Sequence, residues 1–255
     1  MPVSNTKGDN LAEELLLRNT WAPVTSTVSF IKASMEDAVR IWQEWEETRP
    51  SEIRTSVAMT RLTGSLEELL SSLLPLGFGH RTLFLETANP EWTAVVDNSA
   101  RGQELSSALD VQFARKHGIR TAMIAEVPHT LDKKSYEQHQ GRYGNRNLRI
   151  AGPGDVFRSV SLINNDKWDF QSIGDPFDFE HTATYEMPRK TDRFTHEMLV
   201  EYCRELGLAP FEEAFYAPYG SGIQVETHVN IAVPQLTLAE ARAGRENRTI
   251  PKTRR

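Results

Sequence analysis

One cysteine, Cys203, stands in 255 residues. An internal disulfide and a cysteine-rich zinc site are therefore excluded, and such usage suits a reducing cytosol. Long apolar runs are missing as well. No stretch approaches about 18 uncharged apolar residues, so no membrane span is expected. In the lead MPVSNTKGDNLAEELLLRNTWAP the apolar run Leu15 to Leu17 is flanked by Glu13, Glu14 and Arg18, which does not make a secretory signal. A cytoplasmic protein is the expectation. Nucleotide loops are lacking too: there is no Walker lysine, and Phe157 stands where Gly152-Pro153-Gly154 would need a third glycine. His196-Glu197 has no second histidine four positions on, so the metalloprotease pattern fails. Tyr219-Gly220-Ser221-Gly222 lacks the spacing of a nucleophile elbow and reads as a mobile turn.

What is present is the composition of a globular protein, long enough to bury a large core without cross-links. Charge is placed unevenly. The last fifteen residues hold six basic and one acidic residue; as the chain totals −6, residues 1–240 carry −11. Such a body argues against nucleic acid as the main ligand, except through the basic tail, and favours a basic partner surface.

Periodicity orders the chain. TSTVSFIK (Thr25 to Lys32) alternates as a strand, and Ser34 caps a helix whose Met35, Ala38, Val39, Trp42 and Trp45 share a face. TSVAMTRL is a second strand. Ser65 and Glu68 form a capping box for the helix carrying Leu66, Leu69, Leu70 and Leu73. RTLFLET and EWTAVVD make a hairpin around Asn89-Pro90, a helix runs from about Gly102 to His117, and IRTAMIAEV is a strand. Pro128 to Asn147 has no apolar period and reads as a functional loop or insertion. LRIAG, FRSVSLIN and HTATYEMPR are read as strands, and Thr195 opens a helix with Leu199, Tyr202, Cys203 and Leu206 inward.

Two stretches share a layout. Arg81 to Glu104 and Arg158 to Glu180 each run Arg, strand, turn, Trp, strand, polar turn, Glu, with 12 residues from Trp to Glu in both. An internal repeat is the reading. It makes Trp168, Phe170, Phe177 and Phe179 of KWDFQSIGDPFDFE hairpin framework, with Asp178 and Glu180 on the outer, solvated face of a strand.

Candidate chemistry is thin. Asp175, Asp178 and Glu180 lack the oxygen count and spacing of a calcium loop, so no metal is assigned, and no cofactor. His181 beside Glu180 fits a surface role better than a general acid or base. Arg142, Arg146 and Arg149 surround Tyr143 and could clamp an anion or pair with surplus acids. Asp97 and Arg101 lie in a polar turn between a strand and a helix, where sites commonly sit. Candidate binding residues are thus Asp97, Arg101, Arg142, Tyr143, Arg146, Asp175, Asp178, Glu180 and His181.

The order W-D-F-x-x-x-G-x-P-x-x-F-E from Trp168 to Glu180, followed by Tyr185, Asp192-Arg193-Phe194-Thr195 and Tyr202, resembles bacterial proteins found beside toxin genes, the immunity proteins of interbacterial competition. The likeness spans about 35 of 255 residues. It implies a non-catalytic scaffold that blocks a basic toxin domain through an acidic, loop-rich surface. The rival expectation is an enzyme for an anionic or phosphorylated small molecule, with Arg101 or Arg142 on the anion and Asp97 or His181 as acid or base; a third is a structural subunit tethered by the tail. The expected fold is α+β, mainly antiparallel, with three or four helices packed on one side and two similar halves. Its divisions are a lead (1–24), a first half (25–127), a polar loop (128–147), a second half (148–238) and a basic, disordered tail (239–255).

Overall fold

Nine strands form one antiparallel sheet in the computed structural model, which describes residues 11–48, 54–102, 106–131, 142–154, 156–230, 232 and 235–246. The strands are β1 (Thr27–Ile31), β2 (Arg54–Thr63), β3 (Arg81–Glu86), β4 (Thr93–Asp97), β5 (Thr121–Val127), β6 (Asn145–Ala151), β7 (Phe157–Asn165), β8 (Lys167–Ile173) and β9 (Ser221–Val229). Their order is β2-β9-β3-β4-β1-β5-β6-β7-β8.

Helices cover both faces, not the one side expected. In β3, Leu83 and Leu85 enter one core while Phe84 enters the other. Consecutive apolar residues in RTLFLE require this, because neighbours on a strand point to opposite faces. The helices α1 (Met35–Thr48) and α3 (an α turn at Ser106–Leu109 continued as a π-helix, Asp110–Lys116) lie on the Phe84 face. There the Trp42 ring stacks on Phe113 at 6.5 Å and meets Phe84 at 6.4 Å. The opposite face carries α2 (Leu66–Ser71), α4 (His196–Glu205) and α5 (Leu238–Glu246). Local signals set the starts: the Ser34 hydroxyl accepts from the Asp37 N–H at 3.2 Å, Ser65 and Glu68 complete their capping box, and the Thr195 side chain accepts from the Met198 N–H. Among the described residues no helix is long and apolar enough to cross a membrane.

The expected halves share this one sheet, and β9, late in the chain, lies between β2 and β3. Both hairpins of the proposed repeat exist, β3–β4 and β7–β8. The resemblance stops there: α3 and α4, which follow them, pack on opposite faces, and Glu104 lies outside the described residues. Three local readings are corrected. HTATYEMPR holds a 3-10 turn, Thr182–Glu186, in place of a strand. Ser221-Gly222, read as a mobile turn, opens β9. The stretch expected as a tail opens as α5, whose Arg242 donates to the Ala22 carbonyl at 3.0 Å and so ties it to the lead; residues 247–255 lie outside the described residues. In the polar loop, 132–141 lie outside them too, and β6 already begins at Asn145.

Candidate functional site

Phe170, Phe177, Phe179 and Glu180 of KWDFQSIGDPFDFE are framework, though not by strand alternation, while Trp168 also lines a cleft. The chain leaves β8 at Ile173, and Asp178 and Phe179 form a turn. Phe177 and Phe179 stack at 5.2 Å against the core, and Asp175 and Asp178 face water. Glu180, expected on a solvated face, turns inward with a fully buried side chain. It accepts from the Arg158 Nε at 2.8 Å and from a second nitrogen of the same guanidinium, from the Phe177 N–H at 3.0 Å and from the Tyr185 hydroxyl at 2.7 Å. The Tyr202 hydroxyl, 3.2 Å from that of Tyr185, takes the His181 N–H. Burial pushes the Glu180 pKa up, but Arg158, the Phe177 N–H and Tyr185 outweigh it and hold the carboxyl below the usual range. Each oxygen of Glu180 is thus occupied by the fold itself.

A cleft of about 450 Å³ opens elsewhere, at the ends of β5 and β6 beside the start of α4. Its floor follows from register. Ala122 and Ile124 of β5 point to the face that carries α4, so Glu126, two residues on, does too, at 4% exposure. Directly opposite on β6 stands Arg146. Its guanidinium grips Glu126 with both arms (Nε to Oε2 2.6 Å, Nη2 to Oε1 3.0 Å) and donates from Nη1 to the Phe194 carbonyl at 2.8 Å. The pair therefore fixes the residue that precedes the Thr195 cap. His196, the first residue of α4, sets Nδ1 3.5 Å from Glu126 and Nε2 3.8 Å from Glu14, with its ring 4.9 Å from Phe211.

The facing wall is aromatic. The Gly144 N–H donates to His129 Nδ1 at 3.1 Å, and the Trp168 ring meets His129 edge-on at 5.3 Å. Burial lowers the His129 pKa against an opposing hydrogen bond with the Leu131 backbone. Only glycine fits at 144: a Cβ there would lie 2.8 Å from the His129 Cβ and collide with the Trp168 ring. Glu14, Asp192, Glu197 and Arg189 complete its charged lining. The Thr195 side chain, more than any other group, holds Glu197 below the usual carboxylate range. Four carboxylates thus face two guanidiniums; Arg146 is spent on Glu126, and the Arg189 Nε lies 3.8 Å from Asp192.

Of the residues expected from sequence, only Arg146 lines this cleft. Arg142 lines a second cavity of about 440 Å³ with Arg242. The Tyr143 hydroxyl donates to Asp166 at 2.6 Å. Asp97 is buried and accepts from the Ser99 N–H at 2.8 Å, and Arg101 is exposed on the same turn. His181 lies 3.3 Å from Glu201 at the surface. Hence the residues named for an enzyme, Asp97, Arg101, Arg142 and His181, share neither cavity as a group. Among the described residues no three His, Cys, Asp or Glu side chains are placed to hold a metal ion.

Sequence reasoning gave no site role to Glu126 or Glu14, weighed His196 only against a metalloprotease pattern, and reached His129 only as part of the Pro128 to Asn147 loop. Glu126 did carry a signal: a carboxylate inside the apolar run IRTAMIAEV needs a buried partner. No family model, curated protein or solved structure matches the chain.

Proposed function

We propose that the chain is a cytosolic binding protein of the immunity type, which takes a basic segment of a partner protein into the cleft at Glu126 and His196. The observation that carries this reading is the lining: carboxylates outnumber guanidiniums beside a tryptophan face. A lysine or arginine side chain is suited to both, through ion pairing at Glu14 and Glu197 and through cation–π contact with Trp168. The net charge of −6 would speed the approach of a basic domain. Occluding a toxin surface needs no reacting group here, and the buried carboxylates Glu126 and Glu180 are both held by arginines.

The test is co-expression of the full chain with the product of the gene beside its own, followed by co-purification and a growth assay. A stable complex and relief of that product's toxicity support the proposal. Absence of a complex, together with turnover of an anionic metabolite that mutation of Arg142 abolishes, would establish the rival reading.

A further inference from the structure

Among the described residues the outer strand β2 is the longest of the sheet, with ten residues against nine in β7 and β9, and it pairs on one side only. Every second residue of an edge strand turns its N–H and C=O away from the sheet, where another strand can add. Edges that stay single usually carry guards, such as charges or a covering segment. The opposite edge, β8, has both. Lys167 and Asp169 lie within it, Lys190 reaches Asp169 at 2.7 Å, Arg193 covers Phe170 at 5.8 Å, and the turn Lys190–Asp192 lies alongside.

Among the described residues, the middle of β2 has neither. Ser56 to Thr60 reads SVAMT, with no charge and no proline, and the register shift against β9 sits at the strand's start, between Arg54 and Ser56. Met59 is 49% exposed. At one side of this apolar centre Arg61 is neutralised by Glu36 of α1 at 3.4 Å. An apolar middle inside a polar rim is the anatomy of an interface.

We propose that β2 pairs antiparallel with β2 of a second copy, across a two-fold axis perpendicular to the sheet at Ala58. Symmetry fixes what can stand opposite what. Such an axis carries each face of the sheet into itself, so paired residues must share a face. Val57 packs on the α1 face and Leu62 on the α2 face, which by alternation assigns Met59 and Arg61 to the first and Ala58 and Thr60 to the second. With Ala58 on the axis, Val57 of each copy stands opposite Met59 of the other, and Ser56 opposite Thr60. Centring on Met59 would instead set Val57 against Arg61. Within Ser56 to Thr60 the Ala58 register joins apolar to apolar twice and sets no charge opposite another.

Sedimentation equilibrium of the full chain, from low to high micromolar, tests this against a Val57→Lys/Met59→Lys variant checked by circular dichroism. The wild type is expected to dimerise and the variant to do so at least tenfold more weakly. Ala58→Cys supplies an independent readout. Facing residues of an antiparallel pair have Cα atoms about 4.5–5.5 Å apart, within disulfide range, and the native Cys203 is buried. Mild oxidation should link Ala58→Cys chains and leave Asp178→Cys chains, altered on the far edge's turn, unlinked. A wild type that stays monomeric overturns the proposal. So does a dimer that the double lysine variant leaves intact, or an Ala58→Cys chain that fails to cross-link. If the lysine variant does not fold, the cysteine result decides.

Discussion

Arg158 and Glu180 bury opposite charges against each other, with side chains 1% and 0% exposed. The guanidinium also reaches the Ser172 hydroxyl and the carbonyls of Ile173 and Gly174. One ion pair thus fastens the end of β8, and the aromatic turn after it, to the first residues of β7. Its charges serve the fold.

Removing one member of this pair should be costly, because the other stays buried and charged. Glu180→Gln keeps the shape and is expected to lower stability by about 3–5 kcal/mol in urea denaturation. Asp175→Asn and Asp178→Asn, on the same stretch but exposed, should change it by less than about 0.5 kcal/mol. Equal effects at all three positions would contradict the framework reading.

Acid should erase the difference. The folded pKa of Glu180 lies below its unfolded value, so its contribution is complete above the unfolded value of about 4.3 and is lost as pH falls through the folded one. The stability gap between wild type and Glu180→Gln should therefore be constant from neutral pH down to about 5 and then narrow. A gap that widens on acidification would assign the stabilisation to another group.

Local chemistry was legible in the sequence. The caps at Ser34, Ser65 and Thr195 and both hairpins depend on residues within a few positions of one another, and all formed. Long-range choices were not. Nothing within Ser221 to Val229 says that this strand lies between β2 and β3, and nothing around Glu180 names Arg158, 22 residues earlier, as its partner. Helices on both faces could have been read from RTLFLE, whose unbroken apolar run leaves neither face for water. The cleft joins β5, β6, α4 and the lead, and its floor needs the Glu126–Arg146 register, which only the strand order supplies.

Gly144→Ala tests the aromatic wall. The added methyl must displace the Trp168 ring, which we expect to cost about 1–3 kcal/mol and to shift tryptophan fluorescence. Binding of the partner should weaken in parallel. Unchanged fluorescence would mean that Trp168 does not rest on Gly144.

Cys203 is fully buried in the core, and burial raises its thiol pKa well above the ordinary value. A thiol reagent should leave the native chain unmodified and react with the unfolded one, at a rate that follows unfolding. Rapid modification under native conditions would contradict its place on the inner face of α4.

Salt-dependent affinity for the co-purified partner, measured by titration calorimetry on wild type and on Glu14→Lys/Glu197→Lys, tests the central claim most directly. Both side chains lie in the cleft lining and neither takes part in the Arg146–Glu126 brace. Charge reversal there is expected to weaken binding at least tenfold, with the wild-type affinity falling steeply as salt rises. Equal affinity of the two proteins at low salt would place the partner elsewhere and contradict the account.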